Sequence, residues 1–254
     1  VREAKPKRVS TLTFRDALRE VADLGVPTGA QFGLEMLAFT VFTAILGNIG
    51  SRQIAAHMIA LNTIRASFLP GVAIGEAASV LVGVALGSQM LASDRLAEAD
   101  RITRASLRLA IVFMAMCGAV FALFGGAIAG LFTRDLAVVA IARKLLLVAA
   151  VFQVLDAINI VLRGALRGAK DVRVVAFLGI TIIWTCLPTA AFVLGKHFGM
   201  GALGGWCGFI AETTFSAILF GRRWKRGAWR QKVVDVCKTG PDRQKGETQA
   251  AVAA

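Results

Sequence analysis

Four carboxylates lie inside long apolar segments of this chain: Glu35, Glu76, Asp156 and Glu212. A charged side chain at the centre of a bilayer costs roughly 2.5–3.5 kcal/mol on insertion scales, so it normally faces a polar space or a partner. Carboxylates in such a setting bind protons, metal cations or cationic compounds. The chemistry that these residues predict is therefore reversible binding of a cation or a proton.

Two of these acids belong to polar faces of predicted helices. One face carries residues spaced i, i+3 and i+7 in the first apolar segment, and the other spans an arc of about 120° in the fourth. The first face consists of Thr28, Gln31 and Glu35, and the second of Gln153, Asp156, Asn159 and Arg163. The glycines Gly25, Gly29 and Gly33 lie mainly on another side of the first helix, where their spacing predicts close helix packing.

Two interpretations of these faces stay open at this point. In a purely structural one, internal hydrogen bonds fix Asp156 and Arg163, or a carboxylate pairs with Arg65. In the functional one, Glu35 and Asp156 line a water-filled space and bind a cation or a proton. Two independent polar faces, each with one acid, favour the functional interpretation.

The remaining polar candidates are weaker. His57, near the start of the second segment, is more typical of a hydrogen-bonded histidine at a helix end than of a proton carrier. Glu76 follows Pro70 and can satisfy backbone groups freed by the proline, and Glu212 has no preferred role. As possible substrate or ion contacts we retain the following residues: Gln31, Thr28, Gln153, Asn159, Glu76 and His57.

The elements that hold these residues are predicted transmembrane helices. The chain has 254 residues, of which 56% are hydrophobic, and a mean hydropathy of +0.67. About 20 apolar residues cross a bilayer as a helix. We therefore predict an all-α polytopic membrane protein, with a second helix that is bent or extends past the membrane. The predicted spans are 24–48, 53–90, 105–132, 136–162, 173–195 and 199–221.

Basic residues predict the orientation of these spans. Residues 1–23, the connections 91–108 and 163–173, and the segment from 221 onward carry 23 of the 29 lysine and arginine residues. Because such residues accumulate in cytoplasmic loops, both termini of this segment are expected in the cytoplasm.

The same pattern gives the domain organisation. It predicts a basic cytoplasmic segment (1–23), a region of six transmembrane helices (24–221) and a basic cytoplasmic tail (222–254) with a disordered end; the resemblance described below implies that the first is a linker between lobes and the second a six-helix lobe. The cations and tryptophans of that tail also suit an anionic lipid surface.

Several function classes are not expected. The net charge of +13 arises between apolar segments, so it does not indicate nucleic-acid binding. The four cysteines share no metal or redox spacing. We find no nucleophile elbow, zinc helix or phosphate-binding loop, so we predict no enzymatic activity and no cofactor besides Na⁺ or H⁺ as coupling ion.

Five segments together resemble the multidrug and toxic compound extrusion (MATE) family, and the similarity is to its carboxyl-terminal half. They are LGVPTGAQFGLEMLAF (24–39), IAAHMIALN (54–62), GEAASVLVGVALG (75–87), FQVLDAINIVLRGALRGAKDVR (152–173) and GALGGWCGF (201–209). The resemblance implies one lobe of a twelve-helix transporter in the inner (plasma) membrane. It also implies antiport of organic, often cationic compounds against Na⁺ or H⁺, with Glu35 and Asp156 at the family's coupling positions.

The resemblance further implies a partner for this lobe. We expect either the missing amino-terminal lobe of the same protein or a second half-transporter, and the start at Val1 favours a carboxyl-terminal fragment. Two alternatives remain. A lipid-linked oligosaccharide flippase of related architecture would need several cations at the site, and a passive channel or structural membrane subunit would not depend on Glu35.

Overall fold

The computed structural model describes residues 14–88, 91–227 and 229–230. In these residues six long α-helices follow one another and no strand occurs, which confirms the predicted all-α fold. Each of the six is long and apolar enough to cross a membrane. The helices are α1 (Phe14–Ile49), α2 (Ser51–Gly87), α3 (Ala92–Phe132), α4 (Leu136–Gly168), α5 (Val172–Ala190) and α6 (Gly201–Arg226).

Four of the helices, α1, α3, α4 and α6, are longer than the predicted spans. At about 1.5 Å per residue, the 41 residues of α3 extend over about 60 Å, twice the roughly 30 Å of a hydrocarbon core. The 37 residues of α2 form one continuous helix through Pro70, which is long enough to extend past the membrane, as one of the two predictions for this segment expects. The first helix begins at Phe14, inside the segment predicted as a linker. The predicted disordered end of the tail lies outside the described residues.

A short π-helix, Ala191–His197, continues α5 after Pro188. In this segment the backbone N–H of Phe198 donates to the carbonyl oxygen of Val193 at 2.9 Å, a wider turn than in an α-helix. The start of α6 packs directly on it. The two backbones are so close that a Cβ at Gly204 would lie 2.6 Å from the carbonyl carbon of Leu194.

Ion pairs between helix ends show how the six helices alternate in direction. Those at one end join the first part of α1 to the start of α5, the start of α5 to the end of α6, and the first part of α3 to the residues that follow α6. We call this the terminal end of the bundle. The pairs are Arg173–Asp23 at 3.6 Å, Arg223–Asp171 at 2.7 Å and Arg230–Asp100 at 2.8 Å. At the opposite end Arg52 pairs with Asp135 at 3.4 Å, which joins the starts of α2 and α4.

Helix α4 lies at the centre of the bundle and packs on α2, α3 and α6. Its approach to α2 depends on two glycines. A Cβ at Gly75 would lie 2.6 Å from Ile160 Cγ2, and a Cβ at Gly164 would collide with the carbonyl oxygen of Gly75. Since only glycine leaves this space, the two backbones come into direct contact.

The predicted packing ridge on α1 is not used within the described part of the chain. Cβ atoms built at Gly25, Gly29 and Gly33 would meet nothing within 4 Å. The buried face of α1 is instead its polar face, with Gln31 and Glu35 turned toward α5 and the centre of the bundle. Helical spacing identified the two faces of α1, but it did not determine which of them is buried.

Residues 229–230, which follow α6, pack back on the terminal end. Trp224 and Trp229 are buried and stack with ring centroids 4.4 Å apart. Asp100 on α3 accepts hydrogen bonds from the Trp224 indole at 3.0 Å and from Arg230 at 2.8 Å. These two tryptophans are therefore part of the protein interior and are not positioned as lipid anchors.

Candidate functional site

The polar faces of α1 and α4 meet at an ion pair between Glu35 and Arg163. Nη1 of Arg163 lies 2.9 Å from Oε1 of Glu35. The same carboxylate oxygen accepts a hydrogen bond from Nε2 of Gln31 at 2.8 Å. Glu35 is 7% exposed and Gln31 is fully buried, so the pair is shielded from surrounding solvent or lipid.

This pair corrects two expectations about arginine. Arg163 was counted with the basic residues at the cytoplasmic exit of the fourth span, but α4 continues to Gly168 and its guanidinium points into the bundle. The proposed pairing of a carboxylate with Arg65 is wrong for Glu35, because Arg65 is exposed and donates to Oδ1 of Asn62 at 3.3 Å.

Helix α5 closes one side of this pair with a glycine. A Cβ at Gly179 would lie 2.9 Å from Nε2 of Gln31, 3.2 Å from Oε1 of Glu35 and 3.5 Å from Nη2 of Arg163. Any larger residue at this position would compete with the ion pair for space. Sequence reasoning missed Gly179 because a single glycine in an apolar helix carries no local signal.

Asp156 lies half-buried on α4 and has a different environment. Asn159 follows it three residues later on α4 and is 4% exposed. Glu212 of α6 is 8% exposed, and its Oε1 accepts a hydrogen bond from the Ser216 hydroxyl at 3.0 Å. Glu212, which the sequence left without a role, is thus a further buried carboxylate of the described helices.

The other amides of the polar faces are also buried. Gln153 donates to the hydroxyl of Ser67 on α2 at 2.6 Å, so its amide nitrogen is held on the α2 side of α4. Among the described residues, the side-chain oxygens of Gln31, Gln153 and Asn159 are buried without a hydrogen-bond partner. Amide oxygens are acceptors and suit hard cations or water. Thr28 is half-buried one turn before Gln31.

Glu76 forms a separate ion pair on α2. Its Oε1 lies 3.1 Å from Nη1 of Arg167, and its side chain is 56% exposed. Arg167 itself is mostly buried and lies over the ring of Phe32, with the guanidinium carbon 5.2 Å from the ring centroid. Glu76 is therefore already neutralised by a neighbouring cation.

His57 is a hydrogen-bonded interior residue, as the more conservative interpretation predicted. The indole N–H of Trp206 donates to its Nδ1 at 3.1 Å, and Thr43 Oγ1 lies 3.4 Å from its Nε2. An indole only donates, so Nδ1 carries no proton and the ring is neutral. His57 packs edge-on against Phe42 and Trp206, and none of its described contacts is to a carboxylate.

A Na⁺ ion at Glu35 would have to share that carboxylate with Arg163 and Gln31. In the part of the chain that the structure describes, no group of three or more His, Cys, Asp or Glu residues is arranged to hold a metal ion. Among the described residues, the amide oxygens of Gln31, Gln153 and Asn159 are the buried side-chain oxygens without a hydrogen-bond partner, and they are free to contact a cation.

Comparison with known proteins supports a common origin with transporters. Multidrug resistance protein MdtK of Proteus mirabilis is 31% identical over 227 residues, which is 87% of this chain and 48% of that protein. The probable multidrug resistance protein NorM of Xanthomonas campestris is 36% identical over 214 residues, or 84% and 46% of the two chains. The chain spans about half the length of these curated relatives.

The fold agrees with this comparison. The crystal structure of the eukaryotic MATE transporter AtDTX14 superimposes with a TM-score of 0.76 at 21% identity, over 89% of this chain and 50% of that one. The outward-facing structure of a multidrug resistance MATE family transporter superimposes with a TM-score of 0.74 over 92% and 50%. The described helices therefore have the fold of half of such a protein.

The predicted resemblance is confirmed by the family model MatE, which matches residues 27–191. With six helices able to cross a bilayer, the chain is part of a multi-pass membrane protein. This chain belongs to the MatE family.

Proposed function

We propose that this chain is the carboxyl-terminal lobe of a secondary active transporter that extrudes organic, often cationic compounds in exchange for Na⁺ or H⁺. The observation that carries the proposal is the charge of its interior. Three carboxylates, Glu35, Asp156 and Glu212, lie within the apolar helices, and one of them, Glu35, is paired with the guanidinium of Arg163. When all four groups are ionised, two negative charges are in excess within the apolar bundle.

Such an excess requires cations. Charges inside a membrane protein are stable only when they are paired, hydrogen-bonded or neutralised. A coupling ion that binds in one orientation of the two lobes and leaves in the other would shift the equilibrium between them by its differential affinity. A cationic substrate that competes for the same negative charge would then be expelled as the ion enters.

In this mechanism Arg163 competes with the coupling ion for Glu35. While Arg163 is paired with Glu35, the carboxylate is neutralised, so an incoming cation would bind to it only weakly. Protonation of Glu35, or Na⁺ binding to it, would free the guanidinium to interact with Asp156 or Glu212. Arg163 is thus an internal cation whose position depends on which carboxylates are occupied.

The alternatives are less well supported. A flippase for lipid-linked oligosaccharides needs free cations for pyrophosphate, yet Arg163 and Arg167 are each paired with a glutamate. A passive channel needs no buried ion pair between α1 and α4. We place the terminal end of the bundle in the cytoplasm, because basic residues concentrate there, and we expect a second lobe to complete the transport path.

The test is efflux by the full-length protein in vesicles, with Na⁺ and pH gradients imposed separately. We expect one gradient to drive efflux of a cationic dye, and Glu35→Gln and Asp156→Asn each to abolish it while the proteins still insert. Asp94→Asn, which alters an exposed acid at the start of α3, serves as the control and should transport normally. Undiminished gradient-driven efflux in both site variants would contradict the proposal.

A further inference from the structure

Arg167 contacts a carboxylate and an aromatic ring at the same time. Its Nη1 donates a hydrogen bond to Oε1 of Glu76 on α2 at 3.1 Å. Its guanidinium carbon lies over the ring of Phe32 on α1, 5.2 Å from the ring centroid. A carboxylate and an aromatic face both attract organic cations, the first by its charge and the second by its ring quadrupole. The guanidinium of Arg167 is itself an organic cation held in this way.

The two partners of Arg167 are accessible from outside the described helices. The Glu76 side chain is 56% exposed and Phe32 is 48% exposed, whereas the Arg167 side chain is 13% exposed. Glu35 differs, because it is 7% exposed and Gly179 of α5 packs against it. A carboxylate in a membrane-spanning helix normally faces a protein interior or a water-filled space rather than lipid. A compound in that space could reach Glu76 and Phe32 without displacing a helix of this lobe.

The glycines of α1 leave open space beside Phe32. Gly29 precedes Phe32 by one helical turn, and Gly33 follows it directly. Cβ atoms built at these two glycines would meet nothing within 4 Å in the part of the chain that the structure describes. The glycine face of α1, which no described helix covers, therefore gives a bulky cation room beside the ring.

The backbones that carry Glu76 and Arg167 are fixed against each other. A Cβ at Gly75, next to Glu76, would lie 2.6 Å from Ile160 Cγ2 on α4. A Cβ at Gly168, next to Arg167, would collide with the carbonyl oxygen of Ser79 on α2. Since α2 and α4 are in direct contact on both sides of the ion pair, the pair opens by movement of the Arg167 side chain rather than by separation of the helices.

The hydrogen bonds of Arg167 are incomplete. Its Nε is buried without a hydrogen-bond partner among the described residues, although a guanidinium has five N–H donors. A buried donor without a partner weakens the bound state of the side chain. Exchange of this guanidinium for another cation therefore costs less than it would for a fully bonded arginine.

We propose that Phe32 and Glu76 form an entry subsite for organic cations, and that Arg167 occupies it until a substrate arrives. The assignment rests on the proposed function and adds a place where the substrate first binds. Arg167 lies in the last turn of α4, near the terminal end that we place in the cytoplasm, from which an extruded compound enters. The arriving cation takes the ring face and the carboxylate, and the guanidinium turns away.

The test is the binding of tetraphenylphosphonium, a bulky aromatic cation, to the purified full-length protein. Isothermal titration calorimetry without an ion gradient gives its Kd. We expect Glu76→Gln to raise this Kd about fivefold, as for loss of a partly exposed ion pair. Phe32→Leu should raise it about two- to fivefold through loss of the aromatic face. Arg167→Gln removes the internal competitor and should lower the Kd about threefold.

The opposite sign for Arg167→Gln separates a subsite from a structural ion pair, because loss of a purely structural contact would not strengthen binding. Matched controls lie on α3. Glu98→Gln breaks another Glu–Arg pair, with Arg101 at 3.3 Å, and Phe124→Leu removes another exposed ring. Both should leave the Kd unchanged. Triphenylphosphine oxide, a neutral compound of related shape, should not distinguish Arg167→Gln from the wild type.

The outcomes separate this assignment from the antiport function. A wild-type protein that does not bind tetraphenylphosphonium, or an unchanged Kd in both Glu76→Gln and Phe32→Leu, would overturn the subsite even if gradient-driven efflux is normal. Weaker binding in Arg167→Gln would overturn the role of Arg167 as a competitor. If Arg167→Gln fails to fold, the other two variants still decide, because they alter exposed positions. A protein that binds as expected but responds to neither gradient would retain the subsite and refute the antiport function.

Discussion

Arg163 of α4 and Glu35 of α1 form a buried ion pair, with 2.9 Å between Nη1 and Oε1. The guanidinium of Arg163 also lies over the ring of Phe220 on α6, 5.7 Å from its centroid. The backbones of α1 and α4 scarcely approach each other, so these long side chains make the connection. Three helices thus meet at one arginine, and the predictions below begin there.

Replacing Arg163 alone should destabilise the protein more than replacing both Arg163 and Glu35. In Arg163→Gln, Glu35 remains buried without its partner, and we expect a loss of about 3–5 kcal/mol. The double variant Glu35→Gln/Arg163→Gln should recover most of that loss. Thermal unfolding followed by size-exclusion chromatography measures both. Arg52→Gln, which breaks an exposed pair with Asp135, is the control and should cost about 1 kcal/mol or less.

A methyl group at Gly179 should disturb the site without altering a charge. In Gly179→Ala the new Cβ would lie 2.9 Å from Nε2 of Gln31, so the Gln31–Glu35–Arg163 contacts must shift. We expect overpacking to cost about 1–3 kcal/mol and to weaken coupled transport. Gly130→Ala on α3, whose Cβ would meet nothing within 4 Å, should leave stability and transport unchanged. If Gly179→Ala and Gly130→Ala have the same stability and transport, Gly179 does not limit the space around the ion pair.

His57 should prove structural rather than proton-carrying. His57→Ala leaves the buried indole N–H of Trp206 without its acceptor, which should cost about 1–3 kcal/mol from the unpaired donor. Because the neutral ring takes no part in ion binding, the pH dependence of efflux, normalised to the amount of folded protein, should match that of the wild type. A displaced pH profile in this variant would show that His57 contributes to coupling.

The tryptophans at the terminal end should act through packing rather than through lipid. Trp229 is fully buried, so Trp229→Ala should lower the free energy of unfolding by about 3–5 kcal/mol. This decrease in stability should be the same in neutral and in anionic bilayers. Lys225→Ala, at an exposed position of the same segment, is the control for general effects of the tail. A loss seen only in anionic bilayers would favour the lipid-anchor interpretation.

Much of the architecture was predictable because it depends on local composition. Runs of apolar residues identified six spans, and helical spacing placed Glu35 and Asp156 on polar faces. The partners of those acids were not predictable, because they depend on how helices far apart in sequence are rotated against each other. Arg163 and Glu35 are 128 residues apart, so the spacing that placed Arg163 on the polar face of the fourth helix could not identify its partner on the first.

The unpredictable rotation of helices against each other also explains the other differences between the sequence predictions and the structure. On α1 the spacing separated a glycine face from a polar face, and the polar face is the buried one because it meets Arg163 and Gly179. Glu212 carried no signal beyond being an acid in an apolar segment. Its burial, at 8% exposed, depends on the packing of α6 within the bundle, which the local sequence does not show.

The link between α1 and α4 has a mechanical consequence. Since the two backbones scarcely touch, their separation depends on an electrostatic tether that can be released without breaking an apolar interface. Neutralising Glu35 would remove this link and leave α1 restrained chiefly by α5. In the proposed mechanism, ion occupancy would thus control how freely a single helix tilts, through one hydrogen-bonded ion pair.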